Sequence, residues 1–315
     1  MTKQPVSLKG KVIKATRNKY LVRVGEKIVS SVIRGKIAGA PKWENFAVKV
    51  GDDVRIKFIS GNEGVIQEIL PRWSKLSRAV EGKAYKEHVI AVNIDQIVII
   101  MSVKEPQFKS GLLDRYLVVA EKNHLKASIC LNKIDLIVSN HFDEIARWYT
   151  KMDYPFYFTS AKTNQGLVDF KSILKDKVSI LVGQSGVGKS SLIKKIEPDL
   201  DLKVKETSQK TRKGRHATSH VELFPLHIGG YLIDTPGVRE LGLWDIYQNE
   251  LKEHFVDFQP YKDLCQFADC MHLKEPGCAV KYAVDQGKIF MSRYSNYQNI
   301  YNDLRAAPYQ LIKRR

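Results

Sequence analysis

The sequence is poor in cysteine, poor in acid relative to base, and has no long apolar run. Four cysteines in 315 residues are too few for a disulfide scaffold. No stretch approaches the length of a membrane span, so a membrane is not an expected partner. The opening residues Met1 to Lys11 contain no apolar core of a signal peptide, which makes the cytoplasm the expected location. Hydrophobic content of 43% and charged content of 27% exclude a disordered chain and suit globular domains with their own cores. Asp and Glu number 34 against 51 Lys and Arg, a formal charge of +17. The excess is uneven. Residues 1–82 hold 17 bases against 7 acids, residues 83–245 hold 24 against 19, and residues 246–315 hold 10 against 8. An N-terminal quarter that carries more than half of the excess points to a polyanion, nucleic acid first. A basic surface kept for solubility is the plainer alternative.

What is present falls into three regions. Short strands are expected over Lys9–Thr16, Lys19–Val24, Lys27–Arg34, Asp53–Phe58 and Gly64–Leu70, separated by turn residues. Five such strands suit a small barrel of the OB type, with an SH3-like barrel as the alternative. Lys11, Lys14, Arg17, Lys19, Arg23, Arg34 and Lys36 are available to a nucleic acid there, with Tyr20 and Trp43 as stacking groups. The basic segment from Pro71 to Arg78 breaks the strand pattern and reads as a linker that either touches phosphate or only connects. From Ile94 the pattern becomes βαβα. Near-continuous apolar strands at Ile94–Val103 and Ala127–Leu131 alternate with helical spacing at Leu112–Asn123 and Phe142–Tyr149, and Pro155–Phe158 follows. This predicts a doubly wound parallel sheet.

Val178 to Leu192 reads as a buried strand, a glycine-rich turn and a helix start. Gly183, Gln184, Ser185, Gly186, Val187, Gly188, Lys189 and Ser190 match G-x-x-x-x-G-K-[ST], with Ser191 behind. Glycines let the backbone wrap a phosphate, and the helix N-terminus adds partial positive charge. Lys189 reaches the β- and γ-phosphates in such loops, and the hydroxyl of Ser190 holds Mg²⁺. Asn132, Lys133, Ile134 and Asp135 match N-K-x-D, in which Asn132 can contact the base edge and brace the loop and the Lys133 stem can cover the base face. The Asp135 carboxylate can accept from guanine N1 and N2, a donor pair adenine lacks. Ser160, Ala161 and Lys162 read S-A-K, whose Ala161 N–H can meet guanine O6. Asp234 to Gly237 match D-x-x-G, with Asp234 on Mg²⁺ through water and the Gly237 N–H at the γ-phosphate. These are the signatures of a GTPase in rotated order, because N-K-x-D and S-A-K precede the phosphate loop. A domain whose termini lie close together tolerates such a permutation. Val238 stands where a water-orienting Gln often follows D-x-x-G, so intrinsic hydrolysis is expected to be slow. His216 is the candidate catalytic group, and Thr218 the candidate switch ligand of Mg²⁺.

Cys265, Cys270, His272 and Cys278 lie within fourteen residues and supply three thiolates and one imidazole. That set makes a closed tetrahedral, structural zinc site. His254 is a more distant competitor. Cys130, alone in an apolar strand, reads as inert core. Tyr294, Tyr297, Tyr301 and Leu304 fall at helical spacing and read as core.

The chain resembles the RsgA (YjeQ/YloQ) family of circularly permuted GTPases of small ribosomal subunit biogenesis. The residues that carry the likeness are the N-terminal barrel, N-K-I-D before G-Q-S-G-V-G-K-S-S, then D-T-P-G-V, and the C-x4-C-x-H-x5-C cluster. The resemblance implies a multidomain α/β protein: an OB-like RNA-binding barrel over 1–72, a linker over 73–84, a circularly permuted GTPase domain over 85–245 and a helical zinc-binding domain over 246–315. It implies GTP and GDP, Mg²⁺ and one structural Zn²⁺. It also implies slow, ribosome-stimulated hydrolysis on the 30S subunit late in maturation, contact with 16S rRNA, release of another assembly factor, and a monomer. The family often reads G-x-H-T-T in the switch, where this chain has Ala217 before Thr218. Two other readings are an RNA-binding assembly chaperone whose GTP only sets affinity, and a large-subunit assembly GTPase.

Overall fold

The computed structural model describes residues 7–16, 19–38, 48–80, 83–137, 140–200, 221–234 and 246–306. Strands β1 (Ser7–Ala15), β2 (Tyr20–Val24), β3 (Lys27–Ala38), β4 (Asp53–Ser60) and β5 (Glu63–Ile69) form the N-terminal barrel. β1 pairs antiparallel with both β2 and β4, and β3 pairs parallel with β5, so the ring closes. Alternate side chains face inward, as the period of a strand requires. Val12, Val22, Val29, Val54, Ile56 and Ile66 are buried there. Tyr20 joins this core and is only 4% exposed, which corrects its reading as a stacking group. An inward position on β2 buries the ring. Arg17, Lys36 and Trp43 lie outside the residues whose side chains are described.

The expected linker is also corrected. β6 (Lys75–Val80) and β7 (Lys83–Val92) form an antiparallel ribbon, with Leu76 opposite Ala91. Leu76 is buried in a cluster with residues outside this segment, such as Val50 and Ala91, so its burial is invisible in the basic segment alone. The entry to β6 is also fixed. Arg72 donates to both carboxylate oxygens of the buried Asp52, at 2.7 and 2.8 Å. The Trp73 N–H donates to Asn93 Oδ1 at 3.1 Å, and Ser74 Oγ to the Ile94 carbonyl at 2.7 Å.

The larger sheet contains β8 (Gln96–Ser102), β9 (Lys126–Asn132), β10 (Phe156–Phe158), β11 (Val178–Val182), β12 (Glu222–Pro225) and β13 (Tyr231–Asp234). Its order is β10-β9-β8-β11-β13-β12, parallel except for β12. Helices α1 (Ser110–Lys122), α2 (His141–Lys151), α3 (Leu167–Leu174) and α4 (Lys189–Ile196) cover its faces. Every residue of β8 is buried, and its alternate side chains feed two separate cores. Ile97, Ile99 and Met101 pack with Leu113 and Leu117 of α1. Val98 and Ile100 pack with Phe170 of α3 and Leu192 of α4. That is the doubly wound layering expected from the continuous apolar runs. One bridge, Lys14 with Glu222, joins β1 of the barrel to β12 and makes the two sheets continuous. Their side chains form an ion pair at 2.7 Å.

The C-terminal region consists of short 3-10 turns followed by α5 (Ala279–Asp285) and α6 (Met291–Ala306). Tyr294, Tyr297 and Leu304 are buried, as their helical spacing suggests. Among the described residues this region has no separate core: Phe255, Phe258, Tyr297 and Ile300 belong to the apolar cluster that contains α1. Arg293 is fully buried at the seam. It donates to Asp114 of α1 at 2.7 Å and to Asp257 at 2.8 Å. Tyr149 and Asn296 also donate to Asp114, at 2.7 and 2.6 Å. Burial alone would favour a neutral Arg293, but the carboxylates of Asp114 and Asp257 hold its pKa well above the ordinary arginine value.

Candidate nucleotide site and metal centre

Gly183 to Ser190 turn from the end of β11 into the N-terminus of α4. The turn requires glycine for two physical reasons. Gly183 and Gly188 have φ of 145° and 97°, a region L-residues rarely adopt. A Cβ on Gly183 would lie 2.1 Å from the Ile100 carbonyl oxygen, and one on Gly188 2.2 Å from Asn132 Nδ2. The Lys189 ammonium donates to the Gly183 and Gln184 carbonyls, at 2.5 and 2.9 Å, so its stem curls over the loop.

Asn132, at the end of β9, holds three motifs together. Its Nδ2 donates to the Val187 carbonyl of the loop at 2.9 Å. Its Oδ1 accepts from the Ala161 N–H and from the Thr159 hydroxyl, each at 3.3 Å. The side chain is 1% exposed, so its role here is that of a brace. The Ala161 N–H, read as a partner for guanine O6, is directed at Asn132. Ser160 Oγ donates to Asp135 Oδ1 at 2.6 Å and accepts from the Thr163 N–H, which aims the carboxylate. Lys162 lies 3.9 Å from Asp135 Oδ2. Ile134 is half-buried behind them. The parallel sheet explains the assembly: β9 and β10 are neighbours, and the loops after both reach the edge where β11 turns into α4. The rotated chain order is therefore no obstacle to one site.

Two contributors escape sequence reasoning. Thr159 is fully buried and locks Asn132 from the side; its only sequence signal is its position before S-A-K. The loop after β8 is the other. The Glu105 carbonyl accepts from the Lys133 ammonium, and Pro106 Cδ would be 3.5 Å from a Cβ on Gly186. Nothing in residues 103–109 announces that contact. Asp234 ends β13 beside β11, with Ile233 next to it opposite Leu223 of β12. Gly237, Val238, His216, Ala217 and Thr218 lie outside the described residues.

Cys265, Cys270, His272 and Cys278 bring their ligand atoms within 4.8 Å of one another. Cys265 Sγ is 3.9 Å from Cys278 Sγ, and both sulfurs are 3.5 Å from His272 Nδ1. A tetrahedral zinc with its usual bond lengths sets ligand separations of about 3.8 Å for S···S and about 3.5 Å for S···N. The donor set and its spacing thus fit one structural zinc ion. Burial depresses the His272 pKa to about 4 and pushes the Cys270 thiol up to about 12. A neutral imidazole is ready to coordinate, whereas the thiol gives up a proton on binding metal. His254 is not part of the cluster. Cys130 is buried, its thiol pushed up to about 12 by burial, which agrees with an inert core residue.

Residues 69–244 match the RsgA GTPase family. The small ribosomal subunit biogenesis GTPase RsgA of Caldanaerobacter subterraneus subsp. tengcongensis is 36% identical over 298 residues, covering 95% of this chain and 96% of that protein. The protein of the same name from Shewanella oneidensis is 43% identical over 244 residues, 76% of this chain and 68% of its own. The crystal structure of YjeQ from Thermotoga maritima superposes with a TM-score of 0.79 at 34% identity, covering 96% of this chain and all (100%) of the other. The structure of YloQ, described as a circularly permuted GTPase, gives a TM-score of 0.77 at 32% identity, with 97% and 98% coverage.

Proposed function

Since this chain belongs to the RsgA GTPase family, we propose that it hydrolyses GTP on the small ribosomal subunit and that this turnover serves late maturation of the subunit. The observation that supports this reading best is the Asn132 brace, which ties N-K-x-D, S-A-K and the phosphate loop into one site despite their permuted order. In this reading Asp135, aimed by Ser160, accepts from the guanine edge. Lys133 lies against the base face and Lys189 against the β- and γ-phosphates. Ser190, Thr218 and Asp234 hold Mg²⁺, which would neutralise charge developing on the phosphates. Gly237 meets the γ-phosphate, and His216 replaces the missing Gln as the group that orients water.

The division of labour follows the boundaries 1–72 for RNA contact, 85–245 for GTP and 246–315 for zinc. 16S rRNA is the expected polyanion, because the positive excess is concentrated in the barrel. Action as a monomer in the cytoplasm and release of another assembly factor complete the reading. No helix among the described residues is long and apolar enough to cross a membrane. The names of the relatives concern the small subunit and do not favour a large-subunit role.

Sedimentation with separated subunits in the presence of a non-hydrolysable GTP analogue tests the partner. Association with the small subunit is expected, and association with the large subunit alone would reject it. Replacing His216 with Ala should reduce subunit-stimulated turnover by roughly 10²- to 10⁴-fold with GTP affinity held. An unchanged rate removes His216 from the chemistry.

A further inference from the structure

A cleft of about 480 Å³ separates the barrel from the lower edge of the larger sheet, at the ends where β11 and β13 begin. It lies at the opposite strand ends from the phosphate loop. Its lining includes Lys9, Lys11 and Arg23 of the barrel, Trp73 of the crossing segment, and Asp176 and Lys177 ahead of β11. Trp73 is 57% exposed, yet its backbone is pinned. Arg72 on one side is locked to Asp52, Ser74 on the other is bonded to Ile94, and its own N–H is held by Asn93. A large ring offered on a rigid mount loses little conformational freedom when a flat partner stacks on it. The Lys11 ammonium already sits 5.5 Å from the ring centroid.

The charges around the ring suit a nucleotide better than a bare anion. Lys9 and Lys11 share Asp53, at 3.5 and 2.8 Å, which leaves a net positive cluster beside the ring. Lys177 is exposed on the opposite wall. Two more carboxylates line the cleft: Asp95, which accepts from the Val178 N–H at 2.7 Å, and exposed Asp176, which would repel phosphate but accepts from a ribose hydroxyl or a base amine. A volume of this size lies within the range of small-ligand clefts.

We propose that this cleft takes one unpaired nucleotide of single-stranded RNA, with the base stacked on Trp73 and the flanking phosphates on Lys9, Arg23 and Lys177. The proposal rests on the RNA-binding reading of the barrel and gives that reading a place and a recognition mode. Loops and bulges, whose bases are free to unstack, are the RNA elements able to enter; a continuous duplex is not.

The test uses the full chain and a fluorescein-labelled A12 oligoribonucleotide, read by anisotropy over a salt series. Isolated small subunits, read by sedimentation, serve as a second probe. Trp73→Ala should weaken A12 binding roughly 5- to 150-fold, the usual effect of losing one stacked base. The salt slope should stay unchanged, because no charge is lost. Trp73→Phe should recover most of the affinity. Lys177→Gln should lower the salt slope by about 0.7, the single-strand value for one phosphate contact. GTP affinity and circular dichroism should match the wild type in all three. If the wild type binds A12 and Trp73→Ala binds it equally well, the stacking site is wrong while the RNA reading stands. Binding of the wild type to subunits but not to A12 would likewise overturn the stacking site alone. If the wild type binds neither probe, the RNA reading fails and the stacking site fails with it.

Discussion

At the scale of single residues, the proposed nucleotide site depends on contacts that leave no room for adjustment. Gly188→Ala would put a methyl group 2.2 Å from Asn132 Nδ2 on a backbone at φ 97°. Loss of measurable GTP binding is expected, checked by titration with a fluorescent GTP analogue. Asn132→Ala removes the brace and leaves the Val187 carbonyl and the Ala161 N–H without their partner, at a cost of about 1–3 kcal/mol. Urea denaturation should show that loss together with weaker GTP binding. Asp135→Asn should reduce preference for GTP and favour xanthosine triphosphate, measured by competition. A different residue pair responds to pH. Buried Glu197 accepts from the His227 N–H at 3.0 Å and lies 2.5 Å from its Nδ1. The hydrogen bond to this carboxylate, and its charge, raise the His227 pKa above 6.5. A raised histidine pKa means that the pair stabilises the fold fully below the ordinary histidine value and loses that contribution as pH rises through the raised one. NMR titration should place the His227 midpoint above that of an exposed histidine, and Glu197→Gln should bring it down.

At the scale of elements, the C-terminal region is joined to the nucleotide domain through α1. Arg293→Ala would leave Asp114 and Asp257 buried without their cation, costing about 3–5 kcal/mol; thermal unfolding measures it. Arg293→Met fills the volume but not the charge, so it should be repaired by neutralising both carboxylates together. The elements also show what the sequence could carry. β8 and β9 are readable because strands buried on both faces need continuous apolar runs, and α1 because one face of it packs on them. The turn from β11 into α4 is readable because close backbone approach restricts residue choice at fixed spacing. That Asn132 braces the loop is readable from the motif, but its partner is not. Its partner Val187 lies 55 positions away in the chain, and a carbonyl bears no residue signature. β6, β12 and the Arg293 network are hidden for the same reason: Leu76, Glu222 and Arg293 each find their partners far along the chain. Tyr20 is misplaced by sequence reasoning because an aromatic ring on a short strand looks the same from either face of a barrel.

At the scale of the whole molecule, the zinc-ligand cysteines share one apolar cluster with α1 and the face of β8 that packs on it. Zinc binding should release protons, since the buried Cys270 thiol is otherwise protonated at neutral pH, and a pH indicator in weak buffer would detect them. Stripping zinc with a chelator should lower the melting temperature of the entire chain. Hydrogen exchange should rise in α1 as well as in α6, because Tyr297 and Leu113 belong to the same core. Exchange confined to residues 246–306 would show that the two regions are energetically separate.

The bridge between Lys14 and Glu222 spans 208 residues, and during synthesis that separation becomes time. At roughly 5–20 residues per second, β12 leaves the ribosome about 10–40 s after β1. The barrel need not wait, since every strand that closes its ring lies between Ser7 and Ile69. β8 must wait for β11, its parallel neighbour. A nascent chain therefore carries a finished basic barrel well before it has a complete phosphate loop. For that interval the surface proposed to bind RNA is complete with no nucleotide to govern it, on a chain still tethered to the kind of particle it is proposed to mature.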